Sequence, residues 1–361
     1  VNDSLKCVGA ELPACNQRWP TAVDLYSGCG GTTLGLRNAR FRVVAGIEND
    51  PLAVETFKEN HRTVKVWADD IRDVDPSAVL DAVGLQPREL DLLSGCPPCQ
   101  AFSSLKRLNG GKRLYEKANK DLVFEIVRFA RIMQPRVVMI ENVPHLRRDY
   151  RFSRVRRELK ELGYYGQPKV VNAAEFGVPQ RRRRVILIAS RIGTIRFPEP
   201  NQSKVPCTVR STIASLSEAG RSGDALHDLP EVRSEKIARL IAMIPRDGGS
   251  RMDAGDEHQL ACHRRCNGFK DVYGRMAWDD VAPTITGGCV NPSKGRFLHP
   301  EADRTITLRE AALLQSFPLT YWFSLKRGKF AAAQMIGNAF PPALVAAHAR
   351  QIRKHLKSGP A

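Results

Sequence analysis

No run of about eighteen apolar residues occurs in this chain, so a helical membrane span is not expected. The first twenty residues carry Lys6, Glu11 and Arg18 and no apolar segment, so no secretory signal is expected. No long basic amphipathic helix is evident, which argues against binding at a membrane surface. Internal repeats and low-complexity tracts are also missing. The nine cysteines are odd in number and irregular in spacing, a pattern of a reduced intracellular protein rather than a disulfide scaffold. His258, Cys262, His263 and Cys266 make one Cys-x-x-x-Cys with flanking histidines but no second knuckle, so no metal site is assigned.

What is present in excess is positive charge. The formal net charge is +18, spread as −4 over residues 1–100, +13 over 101–190 and +9 over 191–361. A basic excess confined to the later two-thirds suggests a face built for a polyanion, though solvated arginines give the same count.

Thr21-Ala22-Val23-Asp24-Leu25-Tyr26 reads as a short buried strand running into Ser27-Gly28-Cys29-Gly30-Gly31, a turn whose glycines permit positive φ. Thr32 or Thr33 is expected to cap the helix that follows. Phe41–Ile47 is a second strand ending at Glu48, and Pro51 opens a helix. A third strand, Lys65–Ala68, ends at Asp69-Asp70, and a fourth, Leu90–Leu93, runs into Cys96-Pro97-Pro98-Cys99-Gln100. A helix over Asp121–Met133 and a fifth strand, Arg136–Ile140, end at Glu141-Asn142. Strands alternating with helices imply a parallel α/β sheet with functional groups at the carboxyl ends of its strands. From about Ile192 the alternation fades into a loop-rich stretch with short possible strands such as Val281–Thr286. Helical patterning returns at Leu308–Leu314 and Pro342–His355.

The glycine pattern is G-x-G-G, which fits the dinucleotide fingerprint poorly. Glu48, twenty residues beyond Gly28, can accept from both hydroxyls of a ribose, and Asp70 can accept from an adenine amino group. Adenosine without a pyrophosphate suggests S-adenosyl-L-methionine. An ordinary tight turn with surface carboxylates would look the same in isolation. Likewise Cys96-Pro97-Pro98-Cys99 fits a redox pair, a metal knuckle or a single thiolate nucleophile.

Four further segments bear on the choice: Glu141-Asn142-Val143, Gln180-Arg181-Arg182-Arg183-Arg184, Leu308–Pro318 and Gly337-Asn338-Ala339-Phe340-Pro341-Pro342. In this order, behind Asp24–Gly31 and Pro97–Gln100, they resemble the DNA cytosine-5 methyltransferases of bacterial type, from roughly Val23 to Ala347 with a gap at about 195–270. Tyr26 stands where the family usually carries Phe. The resemblance implies a Rossmann-like adenosylmethionine-dependent methyltransferase sheet with a second, smaller irregular target-recognition domain. It places catalysis and cofactor binding in residues 1–190 and 328–361, and target recognition in 191–327.

The implied chemistry matches the residues. Carbon 5 of cytosine is too weakly nucleophilic to take a methyl group unaided. A thiolate added at carbon 6 leaves enamine character at carbon 5. Cys99 is the implied nucleophile, with Cys96 a structural bystander. Glu141 is implied to hydrogen-bond cytosine N3 and the exocyclic amine. Arg182 and Arg184 lie near the base by resemblance, Arg184 on O2, and their charge favours the thiolate. The sequence names no base for the carbon-5 proton; water is open for that step. Tyr26, Glu48, Asp70 and Asn338 are implied to line the adenosylmethionine pocket, with Gly28, Gly30 and Gly31 giving its methionine end room. The target base must be flipped from duplex DNA, and Lys106, Arg107, Lys112 and Arg113 are candidates to close over its phosphates.

Alternatives fit less of the chain. A thiol–disulfide oxidoreductase would use Cys96 and Cys99 but leaves Glu141 and the arginine run unexplained. Amino-methyltransferases place an aromatic residue after Pro-Pro, where this chain has Cys99. The related transfer-RNA enzymes carry a Cys-Phe-Thr signature that is missing here, and a catalytically dead DNA-binding regulator would not need every mapped position filled. The resulting expectation is a monomeric bacterial enzyme of the cytoplasm and nucleoid. It acts on double-stranded DNA, is functionally paired with a restriction endonuclease that it does not bind directly, and has no membrane partner.

Overall fold

The computed structural model describes residues 18–98, 121–200, 207–255 and 271–358. Seven strands form one sheet: β1 (Thr21–Leu25), β2 (Arg42–Ile47), β3 (Lys65–Trp67), β4 (Leu92–Gly95), β5 (Val137–Asn142), β6 (Pro168–Asn172) and β7 (Arg183–Ser190), in the order β3-β2-β1-β4-β5-β7-β6. The first five run parallel, as the alternation of strands and helices implies. The sheet is nevertheless mixed, because β7 runs antiparallel to both β5 and β6. No crossover helix separates β6 from β7, only a short 3-10 turn at Ala173–Phe176, and such a connection returns the chain in the opposite direction.

Side chains alternate between the two sheet faces, and each face has its own core. Val23 and Leu25 of β1, with Leu93 and Ile140, pack under α3 (Pro76–Val83), α4 (Glu125–Met133) and α5 (Tyr150–Glu161). Ala22, Leu92, Val137 and Met139 face the other way, against α1 (Gly31–Asn38), α2 (Pro51–Asn60) and α10 (Pro342–Ser358). Close approach of α1 and α10 requires Gly35, where a Cβ would sit 2.4 Å from Val345 Cβ. The helix starts follow local rules: Asp50 accepts from the Leu52 and Ala53 amides with Pro51 in the first turn, and Asp75 caps α3 ahead of Pro76.

The later chain carries α6 (Val209–Ile213), α7 (Glu235–Met243), α8 (Leu308–Leu314) and α9 (Gly328–Asn338) among loops and 3-10 turns. Val281–Thr286 is not a strand; Ala282 makes a single parallel bridge to Gln180. One apolar cluster joins Val209, Ile285, Phe297 and Leu314 to Ala332 and Ile336 of α9 and to Cys29, so it draws from both sides of residue 327. The stretch Gly328–Ser358 has the length and mean hydropathy of a membrane span. It is broken between α9 and α10, and both helices bury apolar side chains in the cores.

Candidate active site at the carboxyl edge of the sheet

Five parallel strands deliver their last residues to one edge. β1 is followed directly by Tyr26, whose φ of 58° is unusual for a residue with a side chain. The Tyr26 hydroxyl donates to the Leu122 carbonyl at 2.5 Å, holding the ring over that edge. The turn continues with Ser27 N–H on the Ile47 carbonyl (3.0 Å) and Gly28 N–H on Glu48 Oε2 (2.9 Å). Glu48 Oε1 accepts the Asn49 and Asp50 amides at 3.0 and 2.9 Å. Burial raises the Glu48 carboxyl above its ordinary range, an effect these amides partly offset. At the end of β3, Asp70 is gripped by Arg72, Nε on Oδ1 at 2.8 Å and an Nη on Oδ2 at 2.5 Å. That guanidinium holds the Asp70 carboxyl down to about 2.

The three turn glycines differ in surroundings. A Cβ on Gly28, whose φ is +53°, would have the Tyr26 carbonyl oxygen at 4.0 Å as its nearest neighbour, an ordinary contact. A Cβ on Gly30 would lie 2.5 Å from His61 Nε2, and one on Gly31 would lie 2.7 Å from the Phe340 carbonyl oxygen. Gly30 and Gly31 therefore make room for protein neighbours. Neither Thr32 nor Thr33 caps α1: the cap position is Gly30 in the left-handed conformation. Thr33 instead lies inside the first turn and donates its hydroxyl to the buried Asp24 carboxylate at 2.8 Å. Asn338 is the exposed last residue of α9.

The second half of the edge is built on β4, β5 and β7. Glu141 is 8% exposed and pairs with Arg184 Nε at 2.8 Å. Glu141 lies opposite Ile186 in the antiparallel ladder, so Arg184, two residues away, is its diagonal neighbour on the same face. The reversed direction of β7 is what brings the start of that strand to the carboxyl end of β5. Next to Glu141, Asn142 Nδ2 donates to the Pro97 carbonyl at 2.9 Å and its Oδ1 accepts from Val143 N–H. The Asn142 side chain thus ties the Glu141 strand to the proline turn. Cys96 is half-buried with Sγ 3.7 Å from Thr32 Oγ1; burial first, then the Glu141 and Asp24 charges, push its thiol well above the ordinary range. Cys99 and Gln100, the loop carrying Lys106, Arg107, Lys112 and Arg113, and His258, Cys262, His263 and Cys266 lie outside the described residues.

Arg182 sits one layer behind. It is 2% exposed, and its guanidinium donates to the carbonyls of Ile285 (2.9 Å), Gly337 (2.9 Å) and Ala339 (3.1 Å). Two of those carbonyls bracket Asn338. Gln180 continues the same knot, with Nε2 on the Leu314 carbonyl and Gln315 Oε1, and Oε1 accepting from Ile285 N–H. Gln315 Nε2 in turn reaches the Ile336 carbonyl at 2.6 Å. The sequence places Gln180 and Arg182 in one motif and Gly337–Ala339 in another, and the fold joins the two in one buried network.

Asn142 and Gln315 lie inside segments that carry the resemblance but receive no role from the sequence, and His61 and Tyr321 are passed over altogether. Gln315 falls within Leu308–Pro318, but no spacing rule pairs it with Gln180. His61 and Tyr321 meet across 260 residues.

The arrangement offers an acidic and glycine-lined edge over β1–β3 and a carboxylate–guanidinium pair over β5–β7, separated by the proline turn. A family model described as C-5 cytosine-specific DNA methylase matches residues 21–354. The chain is 37% identical over 348 residues to the Type II methylase M.HgiDII of Herpetosiphon aurantiacus, covering 93% of this chain and 95% of that protein. It is 31% identical over 341 residues to the Type II methyltransferase M1.HphI of Haemophilus parahaemolyticus, covering 92% and 87% respectively. Among solved structures it is similar to a putative DNA modification methyltransferase encoded within an E. coli prophage. That match has a TM-score of 0.67, 22% identity, and covers 94% of this chain and 100% of that one. The S. pombe Dnmt2 methyltransferase is similar in fold, at TM-score 0.58 and 17% identity, with 94% and 99% covered.

Proposed function

The chain belongs to the C-5 cytosine-specific DNA methylases, and from that premise we propose how its residues divide the work of methylating carbon 5 of a flipped cytosine in double-stranded DNA. Cys99 is the nucleophile. Its thiolate adds to carbon 6, the sulfur–carbon bond forming as the electrons of the 5,6 double bond move toward carbon 5. Glu141 holds N3 and the exocyclic amine during that addition, and Arg184, at 2.8 Å from Glu141, fixes the carboxylate and lies on cytosine O2. After methylation a water takes the carbon-5 proton, the electrons of that carbon–hydrogen bond re-form the 5,6 double bond, and the sulfur–carbon bond breaks, which returns the thiolate. Cys96, with its thiol held protonated by burial and by Glu141, takes no part.

S-adenosyl-L-methionine is the cofactor we assign, and it supplies an electrophilic methyl group when bound. The donor set fits it. Glu48 presents a carboxylate anchored by three backbone amides with acceptor capacity left on Oε2, suited to a ribose diol. Gly28, uncrowded by its neighbours, donates its amide to that carboxylate, and the Tyr26 ring is locked at the same edge. Asp70 would take an adenine amino group alongside Arg72, and Asn338 would line the same pocket. Arg182 is a positioning residue for Asn338 rather than a base contact, because its guanidinium is engaged with backbone carbonyls.

Residues 1–190 and 328–361 form the catalytic and cofactor-binding part, and 191–327 carry target recognition, the base contacts in that segment setting the sequence methylated. Arg147 and Arg148, exposed on the turn directly after Asn142, add positive charge at the rim where DNA phosphates pass. The enzyme works as a monomer in the bacterial cytoplasm at the nucleoid, alongside a restriction endonuclease of matching specificity.

The observation that carries the assignment is the buried Glu141–Arg184 pair tied through Asn142 to the proline turn that leads into Cys99. Expression in a methylation-free host, followed by bisulfite sequencing, tests it. A short motif modified throughout the genome is expected, and no modified motif defeats the reading.

A further inference from the structure

In the turn Ser27–Gly31 two carbonyls are reached by side chains from distant parts of the chain, the Gly30 carbonyl in addition to the Leu34 N–H that it accepts at 2.9 Å. The Cys29 carbonyl accepts from the Tyr321 hydroxyl at 2.6 Å, and the Gly30 carbonyl lies 3.2 Å from His61 Nε2. His61 Nε2 is also 2.9 Å from the Tyr321 oxygen, and Arg37 reaches His61 Nδ1 at 3.3 Å. Only one proton assignment satisfies all four contacts. The single Tyr321 proton goes to Cys29, so its oxygen accepts from His61 Nε2–H, and Nδ1 is left to accept from Arg37. His61 is therefore neutral, with both ring nitrogens engaged.

Both rings are buried, His61 at 1% and Tyr321 at 3% exposure. Phe57, Phe317 and Phe323 pack around them with ring centroids 4.7–5.2 Å apart. The Tyr321 main chain is itself fixed, because Arg309 Nη1 donates to its carbonyl at 2.9 Å while the same guanidinium pairs with Asp224. Glycine at position 30 is required by this contact, since a Cβ there would lie 2.6 Å from the Tyr321 oxygen.

We propose that Tyr321 and His61 are positioning residues for cofactor binding: their hydrogen bonds to the Cys29 and Gly30 carbonyls set the path of the turn, and with it the direction of the Gly28 amide toward Glu48. Anchored through Arg309 to Asp224, they make the cofactor turn depend on the part of the chain that carries target recognition. This rests on the assignment of Ser27–Gly31 as the cofactor turn.

The test uses the full chain and S-adenosylhomocysteine as the calorimetric probe. Tyr321→Phe removes one hydroxyl and keeps the ring. Its affinity for the probe should fall about tenfold, the scale of one hydrogen bond. The KM for adenosylmethionine should rise in step, while kcat at saturation and DNA affinity stay within about twofold. Phe323→Leu, which thins the same aromatic cluster without touching the turn, should lower thermal stability and leave probe affinity unchanged. Equal loss of affinity in both variants, or wild-type affinity in Tyr321→Phe, overturns the proposal. If Tyr321→Phe does not fold, His61→Gln and His61→Leu decide. The amide keeps an N–H donor and should bind within about threefold of wild type, whereas the leucine should bind about tenfold more weakly; equal affinities overturn the proposal. A wild-type protein that fails to bind the probe would instead sink the cofactor assignment itself.

Discussion

Replacing Arg182 by methionine separates a positioning role from a direct role at the base. The substitution keeps the length of the side chain and removes the donors to Ile285, Gly337 and Ala339. A buried acceptor left without a partner costs about 1–3 kcal/mol. Gln315 Nε2, 3.5 Å from both the Gly337 and Ala339 oxygens, can move to cover part of that loss. A net destabilisation of about 4 kcal/mol follows. With an unfolding entropy of about 2.1 cal/mol/K per residue, a chain of 361 residues should lose about 5 °C in Tm. Asn338, released on both sides, should let the KM for adenosylmethionine rise about tenfold. Differential scanning fluorimetry and steady-state kinetics measure both effects. If Tm stays within about 1 °C of wild type while kcat falls by more than about a hundredfold, the guanidinium acts on the base and the reasoning is wrong.

Other consequences are as direct. Glu141→Gln should keep the fold, since an amide oxygen still faces Arg184, and lower kcat by about 10²–10⁴-fold; activity within tenfold of wild type would remove Glu141 from catalysis. Asn142→Ala frees the Pro97 carbonyl and should cost about tenfold to a hundredfold in kcat with cofactor affinity unchanged, because the proline turn loses its tie to β5. Stability should also depend on pH with a definite sign. Burial pushes His61, His299 and His348 down to about 4, so the stability of their neutral forms is full above pH 6.5 and is lost as pH falls toward 4. Asp24, raised to about 7 by burial, works the other way and loses its contribution as pH rises from 3.8 to 7. His355 is lowered by burial as well, and Glu48 is raised like Asp24, so four histidines against two acids give stability rising with pH between about 4.5 and 6.5. Asp24→Asn should steepen that rise by about 1.4 kcal/mol per pH unit, and urea titrations showing no slope there would contradict the burial argument.

The parallel half of the sheet was legible because its strands are short apolar runs with a glycine or an acid at or within three residues of their ends, as at Ile47-Glu48 and Ile140-Glu141. β6 escaped notice because only Val171 in Pro168–Asn172 is fully buried, so no apolar pattern marks it. The direction of β7 depends on a connection without a helix, which composition does not reveal. Arg182 and Arg184 read alike in the sequence; packing makes one a clamp on carbonyls and the other a partner of Glu141. Thr33 has the residue type and position of a helix cap, yet the buried Asp24 carboxylate takes its hydroxyl. Contacts such as His61–Tyr321 arise only once α2 and the segment after α8 are folded together.

The central claim is that one thiolate, at Cys99, attacks carbon 6. The most direct measurement incubates the enzyme and adenosylmethionine with duplex DNA carrying 5-fluorocytosine at the mapped site, then locates the adduct by peptide mass spectrometry. A fluorine at carbon 5 cannot leave as a proton, so the covalent complex accumulates. The account predicts a stable adduct on the peptide containing Cys99, attached at that residue, and none with Cys99→Ser. An adduct on Cys96, or methylation by Cys99→Ser without any covalent complex, would contradict it.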